Sequence, residues 1–80
     1  MENSEIILNG MLELLDGPTE RKLVQFLILR TSTMSYDETK ETVNLVIEGL
    51  KDISLLYKSF YEAMNANRIL EKVASMRHLY

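Results

Sequence analysis

The chain has 80 residues, of which 46% are hydrophobic and 26% are charged, with a formal net charge of −3 and no cysteine. This size gives one small domain, and the apolar fraction is that of a folded chain, which excludes an intrinsically disordered protein. The acidic balance argues against a protein whose main partner is nucleic acid, and the lack of cysteine predicts an intracellular, cytoplasmic protein. No apolar run approaches the roughly 20 residues of a membrane span, so we expect no membrane partner.

A first helix is predicted over about residues 4–16. Asn3 and Ser4 are good N-cap residues at its start. The apolar positions that follow cover one side of the helix: Ile7, Leu8, Met11, Leu12, Leu14 and Leu15. Gly17 and Pro18 end it, because glycine adopts the left-handed conformation after a helix and proline cannot continue one.

A second helix is predicted over about residues 19–31. Only Gln25 is polar between Leu23 and Leu29, so this helix is apolar nearly all round, which is typical of a helix surrounded by others. Neighbours from one 80-residue chain cover such a helix poorly. We therefore expect a second copy of the chain to complete its burial, in a homodimer.

A long central helix is predicted over about residues 36–64, opened by a capping box of Ser35 and Glu38. Its apolar positions recur with gaps of three and four: Val43, Val46, Leu50, Ile53, Tyr57, Phe60 and Met64. Gly49 suggests a close helix crossing. Leu55 projects from the polar side, which indicates either an interruption near residues 52–54 or a contact with a partner.

A last helix is predicted over about residues 67–79, after a turn at Asn65-Ala66-Asn67. Whether it continues the central helix or folds back is left open. The predicted fold is a single all-α domain over residues 1–80, a small bundle of three to four helices with one long central helix, assembled as a dimer.

The chain offers little for catalysis or cofactor binding. His78 is the only histidine, so a zinc site or a nucleophile–base pair lacks its partners. Asp37, Glu38 and Glu41 could hold a divalent ion, but favourable interaction with the helix dipole explains them more simply. We expect no enzyme, no metal site and no cofactor.

The leading functional prediction is a small non-enzymatic regulator, inhibitor or adaptor that binds another protein through apolar helix faces, as a homodimer. A bacterial or phage origin would suit the size. The predicted interface comprises Leu23, Phe26, Leu27, Leu45, Leu55, Leu56, Phe60, Met64, Met76 and Tyr80. The alternative is a DNA-binding transcriptional regulator, whose dimer brings together Arg21, Lys22, Arg30, Arg68, Lys72 and Arg77.

Overall fold

The structure, a computed structural model, describes the backbone of residues 3–78 and the side chains of residues 8–78. Over this range the chain is all-helical, as the sequence predicts. The helices are α1 (Asn3–Asp16), α2 (Glu20–Arg30), α3 (Tyr36–Ile53), α4 (Lys58–Glu62) and α5 (Ala66–Met76). Within residues 3–78, no helix is both long enough and apolar enough to cross a membrane.

Side-chain caps begin three of the helices. Thr19 Oγ1 accepts the N–H of Lys22 at the start of α2. At α3 the predicted capping box is confirmed, since Ser35 Oγ accepts the N–H of Glu38 and a Glu38 carboxylate oxygen accepts the N–H of Ser35. Asn65 Oδ1 accepts two backbone N–H groups at the start of α5, which confirms the predicted turn.

The single central helix over residues 36–64 was a wrong prediction. The chain leaves helical angles at Ser54 (φ −98°, ψ 88°), and Ser54 Oγ accepts the N–H of Tyr57 in place of a helical bond. The interruption lies where Leu55 fell out of the apolar pattern, and it leaves Leu55 89% exposed. The described residues therefore form five helices, where three to four were predicted.

The end of α1 is held by side chains instead of a left-handed glycine, because Gly17 does not have a positive φ. Pro18 has no N–H, so the carbonyl of Leu14 lacks the donor that a continuing helix would supply. The hydroxyl of Tyr61 donates to that carbonyl at 3.1 Å. Two further carbonyls accept from Tyr57 Oη (Asp16, 2.8 Å) and Lys22 Nζ (Gly17, 2.8 Å).

The helices pack in an order that differs from their order in the sequence. α1 packs on α2, α2 on α5, α5 on α3, and α3 on α4. The last helix thus lies between α2 and α3, while α1 and α3 do not form a packed pair. The Cα radius of gyration is 11.9 Å, close to the roughly 11.6 Å expected of a compact chain of this length.

The single chain covers α2 far better than predicted. Leu23 and Leu27 have no exposed surface, and Val24 and Phe26 retain 4% and 6%. Because α1 and α5 flank α2 and α3 closes the core, no second copy is needed to bury these side chains. The expectation that α2 requires a partner chain was therefore wrong.

Candidate functional site

An open apolar groove lies between α1 and α3. Its volume is about 330 Å³, and it is lined by Met11, Phe26, Arg30, Val46, Gly49, Leu50 and Ile53. Phe26 and Leu50 belong to the core cluster and form its floor, whereas Met11 and Ile53 stand on the two bounding helices. The groove lies where α1 packs on α2 but forms no packed pair with α3. We name it the α1–α3 groove.

Gly49 opens the middle of this groove. A Cβ atom added at Gly49 would meet no atom within 4 Å, so the predicted close helix crossing there was wrong. The close crossing is at Gly10 instead, where an added Cβ would lie 2.9 Å from Phe26 Cδ1. Glycine inside a helix costs about 1 kcal/mol relative to alanine. At Gly49 no contact within the described chain accounts for that cost.

Large apolar side chains are exposed on the two helices that bound the groove. On α1, Leu8 and Leu12 are 57% and 55% exposed. On α3, Leu45 lies one turn before Gly49 and is 73% exposed. We name the full set the apolar patch: Leu8, Leu12, Leu15, Leu45, Ile53, Leu55 and Leu56.

Leu55 and Leu56 form one end of this patch, in the turn between α3 and α4. The turn is anchored to α1, because Tyr57 Oη bonds the carbonyl oxygen of Asp16 at the end of that helix. The turn that carries these exposed side chains is therefore fixed to the end of α1. Leu55 and Leu56 are 89% and 79% exposed on this anchored turn, so a monomer leaves their apolar area in contact with water. Exposed apolar patches of this kind mark interaction sites.

The charges around the groove have an uneven distribution. Arg30 is the charged residue among the groove-lining residues of the described chain. By contrast, residues 1–16 contain Glu2, Glu5, Glu13 and Asp16 with no lysine or arginine. The groove thus offers apolar walls with a positive group, and the helix that borders it is acidic.

The predicted interface residues fall into three groups. Leu23 and Leu27 are fully buried and offer a partner no surface, so their assignment was wrong; Phe26 contributes only as part of the groove floor. Leu45, Leu55 and Leu56 are exposed in the apolar patch, and Met76 is exposed on α5 away from it. Phe60 and Met64 pack partly buried against the core, while Tyr80 lies outside the described residues.

The single chain does not gather the six predicted basic residues on one surface. Arg68 Nε and Lys72 Nζ lie 3.1 and 2.9 Å from the same Glu20 carboxylate oxygen, and the hydrogen bond from Lys72 is the main cause that lowers the pKa of Glu20. Lys22 caps α1. Arg21 and Arg30 are nine residues apart on α2 and so project in opposite directions.

Arg77 has a structural role that the sequence did not reveal. Its Nη1 donates to both Thr31 Oγ1 and Thr39 Oγ1 at 2.9 Å, and its Nη2 donates to the carbonyl oxygen of Met34 at 2.8 Å. Both threonine side chains are fully buried. The guanidinium group therefore ties the end of α5 to the loop between α2 and α3. The feature of the sequence that could have indicated this role is the pair of threonines, Thr31 and Thr39, on either side of the loop.

Among the side chains of residues 8–78, no group of three or more His, Asp or Glu residues is placed to hold a metal ion. Glu38, one of the predicted alternatives for a divalent ion, is engaged in the capping box. Tyr36 Oη donates to a Glu71 carboxylate oxygen, and this bond raises the pKa of Tyr36. The Tyr36–Glu71 bond joins the start of α3 to the middle of α5.

Comparison with models of protein families, with curated proteins and with solved structures gives no match to this chain.

Proposed function

We propose that this protein is a non-enzymatic protein-binding module, acting as a regulator, inhibitor or adaptor that receives an amphipathic helix in the α1–α3 groove. The observation that carries the proposal is the unfilled space above Gly49 within a groove of apolar walls. A docked helix places an apolar side chain every three to four residues, and the walls of such a groove cover those side chains.

The exposed surface around the groove supports the same proposal. Seven large apolar side chains are exposed on α1, on α3 and in the turn after α3, and an interface of this type consists of an apolar centre with a polar rim. Polar side chains elsewhere, such as Arg77 and Glu20, form hydrogen bonds and ion pairs within the chain. Among residues 8–78, seven of the nine exposed large apolar side chains belong to the apolar patch, and the other two are Leu29 and Met76.

Site-specific photocrosslinking tests the proposal. A photoreactive benzoylphenylalanine replaces Leu45 or Leu12 at the groove, or Ser75 on exposed α5 as the matched control, in the cells that make the protein. We expect adducts with a protein chain from Leu45 and Leu12 and none from Ser75. Equal yields from the three positions, or no adduct from any, would contradict the proposal.

A further inference from the structure

The apolar patch and the groove share one border. Met11 lines the groove, and Leu8 and Leu15 lie one turn before and one turn after it on the surface of α1. The half-exposed stripe of α1 therefore faces the same side as the groove that needs an occupant. A twofold axis on this side brings the stripe of each copy onto the groove of the other, as an isologous interface requires.

Resting on the proposed docking role of the groove, we propose that its occupant is α1 of a second copy of this chain. In the resulting twofold dimer, Leu8, Leu12 and Leu15 of each copy lie over Gly49 of its partner. Each protomer supplies both the helix and the groove, so neither site is complete in one chain.

The charges of the two surfaces are complementary. Asp16 is exposed at the end of α1, one residue after Leu15, and residues 1–16 contain no basic residue. The groove that receives this helix contains Arg30 and no acidic lining residue in the described chain. Opposite charges across an interface favour association and fix its register. An acidic amphipathic helix is the kind of segment this groove fits, and the chain contains one.

The area of the apolar patch is also what a stable dimer needs. Weighted by their exposed fractions, its seven side chains present roughly 450 Å² of apolar surface, taking about 100 Å² for each fully exposed side chain. An interface of about 800 Å² per partner, at the usual 56–58% apolar content, contains about that amount. The patch thus matches a standard interface without help from Leu29 or Met76.

Sedimentation equilibrium on the purified chain tests this dimer. We expect twice the monomer mass of 9.3 kDa for the unaltered chain at micromolar concentration. Leu12→Lys and Gly49→Lys should each raise the dissociation constant at least tenfold, while Met76→Lys, a control that is 60% exposed outside the patch, should leave it unchanged. Circular dichroism confirms folding, and the Cβ that Gly49→Lys adds meets no atom within 4 Å in the monomer.

Cysteine pairing tests the arrangement of the dimer, since the natural chain has no cysteine. A Leu12→Cys chain mixed with a Leu45→Cys chain should form a mixed disulfide on oxidation, and Leu12→Cys mixed with Met76→Cys should not. A monomer at 100 µM, or a dimer insensitive to both groove variants, would overturn the inference. A monomer that still gives Leu45 adducts with another protein would overturn the dimer and leave the proposed function standing.

Discussion

Tyr61 and Leu14 are joined across 47 positions of sequence by a hydrogen bond from the tyrosine hydroxyl to the leucine carbonyl. Both side chains are fully buried, and burial is the first cause that raises the pKa of Tyr61. Pro18 cannot donate to this carbonyl because it has no N–H. The bond thus fixes α4 to the end of α1, and it helps to set the position of α1 beside the open groove.

Removing this hydroxyl should weaken the fold. We expect Tyr61→Phe to lower the free energy of unfolding by about 1–3 kcal/mol, because a buried carbonyl loses its donor. Tyr57→Phe is the matched control, since its hydroxyl bonds the more exposed carbonyl of Asp16. It should cost about 0.5–1 kcal/mol. Urea unfolding at neutral pH measures both; equal losses would show that burial of the Leu14 carbonyl is not decisive.

Two glycines should respond to alanine in opposite directions. Gly49→Ala should stabilise the protein by about 0.5–1 kcal/mol. Alanine loses less backbone conformational entropy than glycine when the helix folds, and the new Cβ meets no atom within 4 Å. Gly10→Ala should destabilise it by about 1–2 kcal/mol, since its Cβ would overlap the ring of Phe26. Thermal and urea unfolding of the two variants check the pair. A loss of stability in Gly49→Ala would mean that the groove is narrower than described.

Arg77 should not be replaceable by lysine. The planar guanidinium serves two buried hydroxyls and a carbonyl at once, and an ammonium group cannot reproduce that geometry. We expect Arg77→Lys to cost about 1–3 kcal/mol of unfolding free energy. Arg68→Lys is the matched control, because an exposed ion pair with Glu20 tolerates either cation. Comparable losses in the two variants would refute this role for Arg77.

The capping box should make the fold sensitive to acid. The backbone N–H of Ser35 donates to the Glu38 carboxylate and lowers its pKa below the usual 4.5. A pKa lowered in the folded state stabilises the fold above pH 4.5, and this contribution is lost as pH falls from 4.5 through the folded-state pKa. Glu38→Gln should therefore reduce the loss of stability between pH 6 and 3, and Glu41→Gln should not. Urea unfolding of the original chain and the two variants at several pH values between 6 and 3 measures these free energies of unfolding.

Local sequence signals located most of the elements. Ser35 with Glu38, and Asn65 before α5, bind nearby backbone groups, so neighbouring residues suffice to reveal them. In the sequence, the only sign of the helix break at Ser54 was that Leu55 falls on the polar side of a continuous helix. Its stabilisation depends on Tyr57 and Tyr61 reaching α1 from more than 40 residues away, which periodicity does not encode.

The candidate site was harder to predict than the elements. Apolar spacing identified the faces of α2 and α3, yet it could not show that α5 inserts between these helices. That insertion buries Leu23 and Leu27 and leaves the side of α3 around Gly49 open. Leu45, Leu55 and Leu56 were named from the sequence and are exposed. The contribution of Leu8, Leu12 and Leu15 to the same surface was missed, because an amphipathic helix was expected to bury its whole apolar side.

The most direct test of the groove as a docking surface is the photocrosslinking yield from Leu45 in the Gly49→Lys chain. The Cβ of a lysine at this position meets no atom within 4 Å in the monomer, and the substitution removes a helical glycine, so we expect the chain to stay folded, which circular dichroism checks. If a helix docks over Gly49, the yield of protein adducts should nevertheless fall at least tenfold relative to the unaltered groove. A folded Gly49→Lys chain that crosslinks as efficiently as the original would contradict the account.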